Sequence, residues 1–222
     1  RELGLFDEET PWRHLWKPGE RVRAVAPSTG APIIVIGQDS YAADGTRIDV
    51  DTVRWDVPVA GTLESYDVRP SGFWQTHVRG AQVLANAVVA GAFGADESGV
   101  GRAVMELYSG AGLFSVPLAR AVGETGRVVT LEGEEGAVRD AGENLAAFHW
   151  VDAFAGNVDR EGVVDLAGQL GAVPDVVVAD PPRAGAGAEA CQAIAATGTP
   201  RVVLVSCDPA AGARDLRALT EA

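Results

Sequence analysis

Glu106-Leu107-Tyr108-Ser109-Gly110-Ala111-Gly112-Leu113-Phe114-Ser115 is the stretch on which the fold turns. Apolar residues lead into it from Ala103, two glycines follow, and a helical pattern continues to Val122. A short apolar strand, a Gly-rich turn and a helix form a βα unit whose backbone can approach a ligand closely. A dinucleotide fingerprint would carry a third glycine at position 115, where this chain has Ser115. By itself the turn reads either as a nucleotide-type site or as a plain βα connection.

Outward from that turn the rhythm repeats. Strands are predicted at 103–108, 128–132, 152–155, 175–180 and 201–207, and helices at 113–122, 136–147, 163–170 and 188–196. Short apolar strands alternating with helices give an α/β fold, a parallel sheet with helices on both faces. Ligands of such sheets sit outside the C-terminal strand ends. Upstream, a polar, Gly-rich link at 94–101 divides the chain into segment 1–94 and domain 95–222. The first part reads as small and mixed α+β. It has β-branched runs at 31–37 and 46–59, broken by Gly45, Pro58 and Gly61, and a helix at 75–89.

Of the 222 residues, 47% are apolar and 22% charged, the balance of a globular chain. No run approaches the ~20 apolar residues of a membrane span, so no membrane partner is expected. The amino terminus, Arg1-Glu2-Leu3, lacks an export signal pattern. It also lacks an initiator Met, so the chain is expected to be part of a longer protein. Two cysteines, Cys191 and Cys207, cannot alone build a disulfide framework or a four-ligand metal site, which points to a reduced, intracellular setting. His14, His77 and His149 have no metal-ligand spacing. The net charge is -13, and Lys17 is the only lysine among 18 basic residues. That excludes a general basic surface for gripping nucleic acid.

Four strand ends carry candidate chemistry. Glu132 ends the second strand of the domain, where a carboxylate can accept both hydroxyls of a ribose; it also reads as a solvated acid. A G-x-G turn without the third glycine, joined to this acid, favours S-adenosylmethionine over a nicotinamide cofactor. The fourth strand runs into Asp180-Pro181-Pro182-Arg183. Two prolines remove two backbone donors and hold Asp180 extended, free to accept from a substrate NH or a cofactor. The fifth runs into Ser206-Cys207-Asp208-Pro209, with Asp208 an N-cap and Pro209 a first helical residue. Cys207 then lies at a helix start, where the dipole favours thiolate. Cys191, inside an Ala-rich helix, reads as buried and inert. In the first segment, Phe73-Trp74-Gln75 stands at a loop-to-helix junction and can wall a pocket.

Read together, these pieces resemble the S-adenosylmethionine-dependent RNA 5-methyluridine methyltransferases. The resemblance covers roughly residues 65–219. It rests on Gly72-Phe73-Trp74-Gln75, Leu107-Tyr108-Ser109-Gly110-Ala111-Gly112-Leu113-Phe114, Glu132, Asp180-Pro181-Pro182-Arg183-Ala184-Gly185, Val205-Ser206-Cys207-Asp208-Pro209 and Ala213-Arg214-Asp215-Leu216. It implies a class I, Rossmann-like methyltransferase sheet and a cytoplasmic enzyme acting on carbon 5 of a uridine in transfer or ribosomal RNA. Gln75, Tyr108, Glu132 and Asp180 match the family's cofactor-pocket positions, with Asn157 a further addition, and Cys207 matches the nucleophile.

The chain departs from the family in three ways. Against that resemblance, the family's N-terminal RNA-binding domain is not expected within these residues, nor is its cysteine cluster, so no iron–sulfur centre or other metal is expected in this chain. The stretch that supplies the family's proton-abstracting glutamate is also absent. The chain is thus expected to keep the cofactor pocket and nucleophile without the base. The last strands of the sheet would be missing, which leaves the fifth strand at an edge. Two other readings stay open: a non-catalytic S-adenosylmethionine-binding fragment, and an NAD-dependent oxidoreductase, which Ser115 and Asp-Pro-Pro-Arg disfavour.

Overall fold

The computed structural model describes residues 10–28, 30–94 and 98–222. After a short 3-10 helix, Pro11–Leu15, an antiparallel sheet runs in the order β1 (Val22–Val25), β2 (Ile33–Ile36), β3 (Asp39–Ala42), β4 (Arg47–Ile48). Every residue of β2 is buried, because both faces of this strand are covered. Ile34 and Ile36 pack with Trp12, while Ile33 and Val35 pack with Val53. The predicted 31–37 strand is therefore present. The 46–59 run is not one strand: it splits into β4 and β5 (Val53–Val59), joined by a link whose Val50 packs under the first sheet.

β5 pairs with β6 (Thr62–Val68) as a two-stranded hairpin. Pro58 was expected to break the run, yet it lies inside β5 opposite Leu63. A strand with only one partner has a free edge, so a missing N–H there goes unnoticed. The helix expected from 75 begins later, as α1 (Gly80–Phe93). Residues 77–80 first close a tight turn in which the Gly80 N–H donates to His77 O at 2.7 Å. Gln75 is consequently a loop residue. Part of the predicted 94–101 link, residues 95–97, lies outside the described residues.

The five predicted parallel strands all form: β7 (Ala103–Leu107), β8 (Arg127–Glu132), β9 (Val151–Ala155), β10 (Val176–Ala179) and β11 (Val202–Leu204). Their order is β11-β10-β7-β8-β9. Helices α2 (Ser115–Val122), α3 (Glu135–Leu145), α4 (Arg160–Leu170), α5 (Ala188–Ala196) and α6 (Pro209–Thr220) alternate with them. Alternate residues of the same strands feed two cores. Val104, Val128 and Val178 face α1, α2 and the β5–β6 hairpin, whereas Met105, Val129 and Val177 face α4 and α5. The first core is thus shared between the sheet and the segment upstream of it.

β11 is shorter than the predicted 201–207 and lies at the sheet edge, paired among the described residues only with β10. Its last ladder bond runs from the Val205 N–H to Ala179 O at 2.8 Å. Beyond Ala179 the neighbouring strand becomes Pro181-Pro182, which has no donors left to pair. Among the described residues no helix is long and apolar enough to cross a membrane.

Candidate active site

Strand order reverses between β7 and β10, the position at which open parallel sheets form a crevice. β7 delivers the glycine turn to it. Tyr108 adopts φ 62°, a left-handed value for a residue with a Cβ, and Gly110 and Gly112 follow at 55° and 90°. The Tyr108 N–H still donates to Leu131 O at 2.9 Å, so the backbone leaves the sheet only afterwards. A Cβ added at Gly110 would meet nothing within 4 Å, which leaves its backbone open to the crevice.

Glu132, at the end of β8, braces this turn. Its Oε2 accepts the Gly110 N–H at 2.9 Å and its Oε1 accepts the Glu134 N–H at 2.8 Å. Each carboxylate oxygen keeps a further lone pair for a ligand hydroxyl. Beside it lies a cavity of about 420 Å³ bordered by Gly110, Ala111, Phe73 and Arg69. That volume falls in the ~300–1,000 Å³ range of small-molecule sites.

Asp180 emerges from β10 on the other side of the turn, its N–H donating to Leu107 O at 3.3 Å. Burial pushes its carboxyl up to about 6. It shares a small cavity of about 50 Å³ with Trp74, Gln75, Gly110 and Phe114. The loop that brings Gln75 here is fixed from behind. The Arg23 guanidinium donates to Gly72 O at 3.0 Å and also to Ser71 O, while Trp74 stacks on Trp55 with ring centroids 5.5 Å apart. Arg69 joins this end of the hairpin to α3 through Asp140 at 3.0 Å and Glu134 at 2.6 Å. The structure thus brings Gln75 and Asp180 into one cavity and Glu132 into its neighbour, with Phe73, Gly110 and Ala111 lining both.

Tyr108 and Asn157 are not brought into these two cavities. The Tyr108 hydroxyl donates to Val158 O at 3.4 Å, packing the ring with the α4 side of the sheet. Asn157 borders a separate cavity of about 390 Å³ with Asp159 and Gly162. Cys207 is exposed and lies three residues past the end of β11. The next residue, Asp208, caps α6 by accepting the N–H groups of Ala210 at 3.0 Å and Ala211 at 2.8 Å. Val205 is bonded to Ala179, so Cys207 and Asp180 leave neighbouring strands at the same end. Cys191 is buried, and burial pushes its thiol up to about 11, as expected of an inert cysteine.

One acid of this region escaped the sequence reading. Glu106 lies in β7 with 1% exposure, and both its oxygens lack a hydrogen-bond partner among the described residues. The Thr130 hydroxyl is also buried without a partner among the described residues, and the buried Ser115 hydroxyl stands beside the Glu106 carboxyl, where it opposes the upward shift without closing a full hydrogen bond. Burial, then the charges of Asp180 and Glu132, push Glu106 up to about 8. The available signal was a single acid within an otherwise apolar strand.

No family model matches the chain. In sequence it is 38% identical to an uncharacterized RNA methyltransferase of Bifidobacterium longum, over 98% of this chain and 51% of that relative. It is 42% identical to the 23S rRNA (uracil(1939)-C(5))-methyltransferase RlmD of Acinetobacter baylyi, over 54% of this chain and 26% of that enzyme. The chain therefore spans about half the length of the first relative and about a quarter of the second. Among solved structures, the precorrin-6y C5,15-methyltransferase of Geobacter metallireducens aligns with a TM-score of 0.50 at 17% identity, covering 70% of this chain and 75% of that one. By sequence the chain is a homologue of bacterial RNA methyltransferases, and by structure it carries the class I methyltransferase fold.

Proposed function

We propose that the protein binds S-adenosylmethionine and methylates carbon 5 of a uridine in RNA through a covalent Cys207–uracil intermediate, acting in the cytoplasm. The observation that carries this reading is the convergence of strand ends. The open glycine turn, Glu132, Asp180 with Gln75, and Cys207 all lie at the C-terminal edge of one parallel sheet. The names of the relatives support the substrate class, since one is a ribosomal RNA uracil-C5 enzyme.

The donor set suits the cofactor. Glu132 would accept from ribose hydroxyls with the lone pairs left by Gly110 and Glu134. Asp180 and Gln75 would hold the polar end beside the bare Gly110 backbone, and Tyr108, outside both cavities, would act only by fixing the start of the glycine turn. When bound, the cofactor supplies an electrophilic sulfonium methyl group.

Cysteine is required because carbon 5 of uracil is too weak a nucleophile by itself. The Cys207 thiolate adds to carbon 6, forming a C6–S bond, and the displaced π electrons make carbon 5 enolate-like. Once carbon 5 has been methylated, transfer of its proton to water, or to a base supplied from outside the residues named here, restores the C5–C6 double bond. The C6–S bond breaks in the same step and returns the electron pair to sulfur. The base would have to leave any stack to reach Cys207.

The test is incubation with S-adenosylmethionine and 5-fluorouridine-substituted RNA, followed by denaturing electrophoresis. Fluorine at carbon 5 blocks the final proton loss, so the adduct accumulates. A covalent band with the native protein and none with Cys207→Ala is the expected result. Separate ribosomal and transfer RNA transcripts identify the substrate. Confirmed cofactor binding with no band for either RNA would overturn the reading.

A further inference from the structure

Asp215 lies in the middle of α6 and is only 4% exposed. Its carboxylate reaches out of that helix to the segment that follows Asp180. Oδ2 accepts the Ala186 N–H at 2.7 Å and Oδ1 accepts the Gly187 N–H at 3.1 Å. Gly187 is the N-cap of α5 and has no side chain with which to cap it. A carboxylate from α6 thus serves the start of α5 in place of a local cap.

The contact is as close as the chain permits. Gly185 has φ +92°, and a Cβ there would lie 2.7 and 2.9 Å from the two Asp215 oxygens. Among the described residues no arginine or lysine pairs with Asp215. A buried carboxylate without a cation is unfavourable unless its hydrogen bonds compensate, so these two backbone donors are what hold it.

Its position in the chain gives the contact its meaning. Asp180 is tied to β7 through Leu107 O, and the loop it opens is gripped at its far end by Asp215. Asp215 belongs to the helix that Asp208 caps, directly after Cys207. One helix therefore carries the exposed thiol at its start and the clamp on the Asp180 loop two turns further on.

We propose that Asp215 is a positioning residue that fixes the Cys207 thiol relative to the Asp180 carboxylate, and so aligns the uracil between nucleophile and methyl donor. The inference rests on the roles given above to Cys207 and Asp180. It is read from Asp215→Ala and Asp215→Asn by three measurements. These are the rate of adduct formation with 5-fluorouridine RNA over a range of RNA concentrations, the alkylation rate of Cys207 by iodoacetamide, and thermal unfolding.

Asp215→Ala should slow adduct formation at saturating RNA by roughly ten- to hundred-fold, the scale of a misplacement near 1 Å. The half-saturating RNA concentration and the alkylation of Cys207 should stay near native values. Asp215→Asn, isosteric and still holding one acceptor, should recover part of the loss. Gly185→Ala approaches the same contact from the loop side and should reproduce the defect with α6 untouched.

An Asp215→Ala protein that forms the adduct at the native rate overturns the proposal alone. So does a loss shared equally by alkylation and thermal stability, which marks a merely structural residue. A native protein that forms no adduct overturns the proposed function, and the positioning role with it.

Discussion

Glu106 shows what a single buried acid does to the whole fold. Its native-state pKa is raised from 4.5 to about 8, chiefly by burial. Between those values the folded chain holds a proton that the unfolded chain has released. Its stability is therefore complete below pH 4.5 and falls as pH rises toward 8. At about 1.4 kcal/mol per unit, the decline is no more than roughly 5 kcal/mol. Urea unfolding at pH 5 and pH 8 should show the native protein weakening across this interval. Glu106→Gln, which cannot ionise, should lose most of the slope; an unchanged slope would mean that other groups set it. Asp180 titrates lower, at about 6, again because burial disfavours its charge. If its carboxylate accepts from the cofactor, affinity for S-adenosylmethionine should fall as pH drops through 6. Calorimetric titrations from pH 5 to 7.5 would show a weak, pH-independent affinity for Asp180→Asn. The acid at the end of the fourth strand was legible because Pro181-Pro182 marks it. Glu106 was not, since nothing in Ala103–Leu107 reveals that no partner awaits it.

At the scale of elements, legibility followed hydrophobicity. The central parallel strands β7, β8 and β10 stood out because both faces are covered, which makes each a largely apolar run, while β9 and β11 at the edges are only half-buried and were found by their place in the βα rhythm. β6 has one buried face, Glu64, Tyr66 and Val68, but Thr62-Leu63-Glu64-Ser65-Tyr66-Asp67-Val68 exposes its leucine and buries an acid, so its polar and apolar residues do not alternate cleanly. Its buried set even includes Glu64, which meets Arg120 of α2 at 2.5 Å. A strand that buries an acid against a distant arginine offers no apolar run to read. The loop before α1 has a similar origin, because Arg23, far upstream, holds the carbonyls of residues 71 and 72 while the turn at 77–80 delays the helix. The hairpin turn between β5 and β6 carries its own imperfection. Ala60 at φ 48° and Gly61 at 82° have the signs of a type I′ turn, which favours Asn-Gly over Ala-Gly. Asn86 holds the turn by accepting the Ala60 N–H at 3.0 Å and donating to Pro58 O at 3.0 Å. Ala60→Asn should relieve the left-handed alanine and raise stability by about 0.5–1 kcal/mol. A differential scan should register this as an upward shift of about 2 °C. A lower melting temperature would show that the strain is already relaxed in the native turn.

At the scale of the molecule, the question is how a chain of net charge -13 would meet RNA. The acid excess was legible from composition, but the fate of the arginines was not, because their partners lie far away in sequence. Arg47 pairs with Asp39, Arg54 with Asp67, Arg102 with Asp175, Arg120 with Glu64 and Arg127 with Asp152. Arg69 holds two acids, and Arg23 holds backbone carbonyls. The first of these pairs spans 8 positions and the third 73, so only the folded chain reveals them. A guanidinium already facing a carboxylate has much of its charge offset, so it gains less from a phosphate than a free one does. In a chain whose acids outnumber its cations by 13, few phosphates should be neutralised at once and few counterions released. For single-stranded RNA each phosphate contributes about 0.7 to the slope of log affinity against log salt. Three contacts or fewer give a slope no steeper than about −2. Fluorescence anisotropy with a uridine-containing RNA, titrated between 50 and 200 mM salt, measures it directly. A shallow slope would mean that this chain contributes the chemistry of the site and little electrostatic grip. A slope near −5 would mean about seven phosphate contacts, so that the chain's arginines grip RNA despite the acid excess.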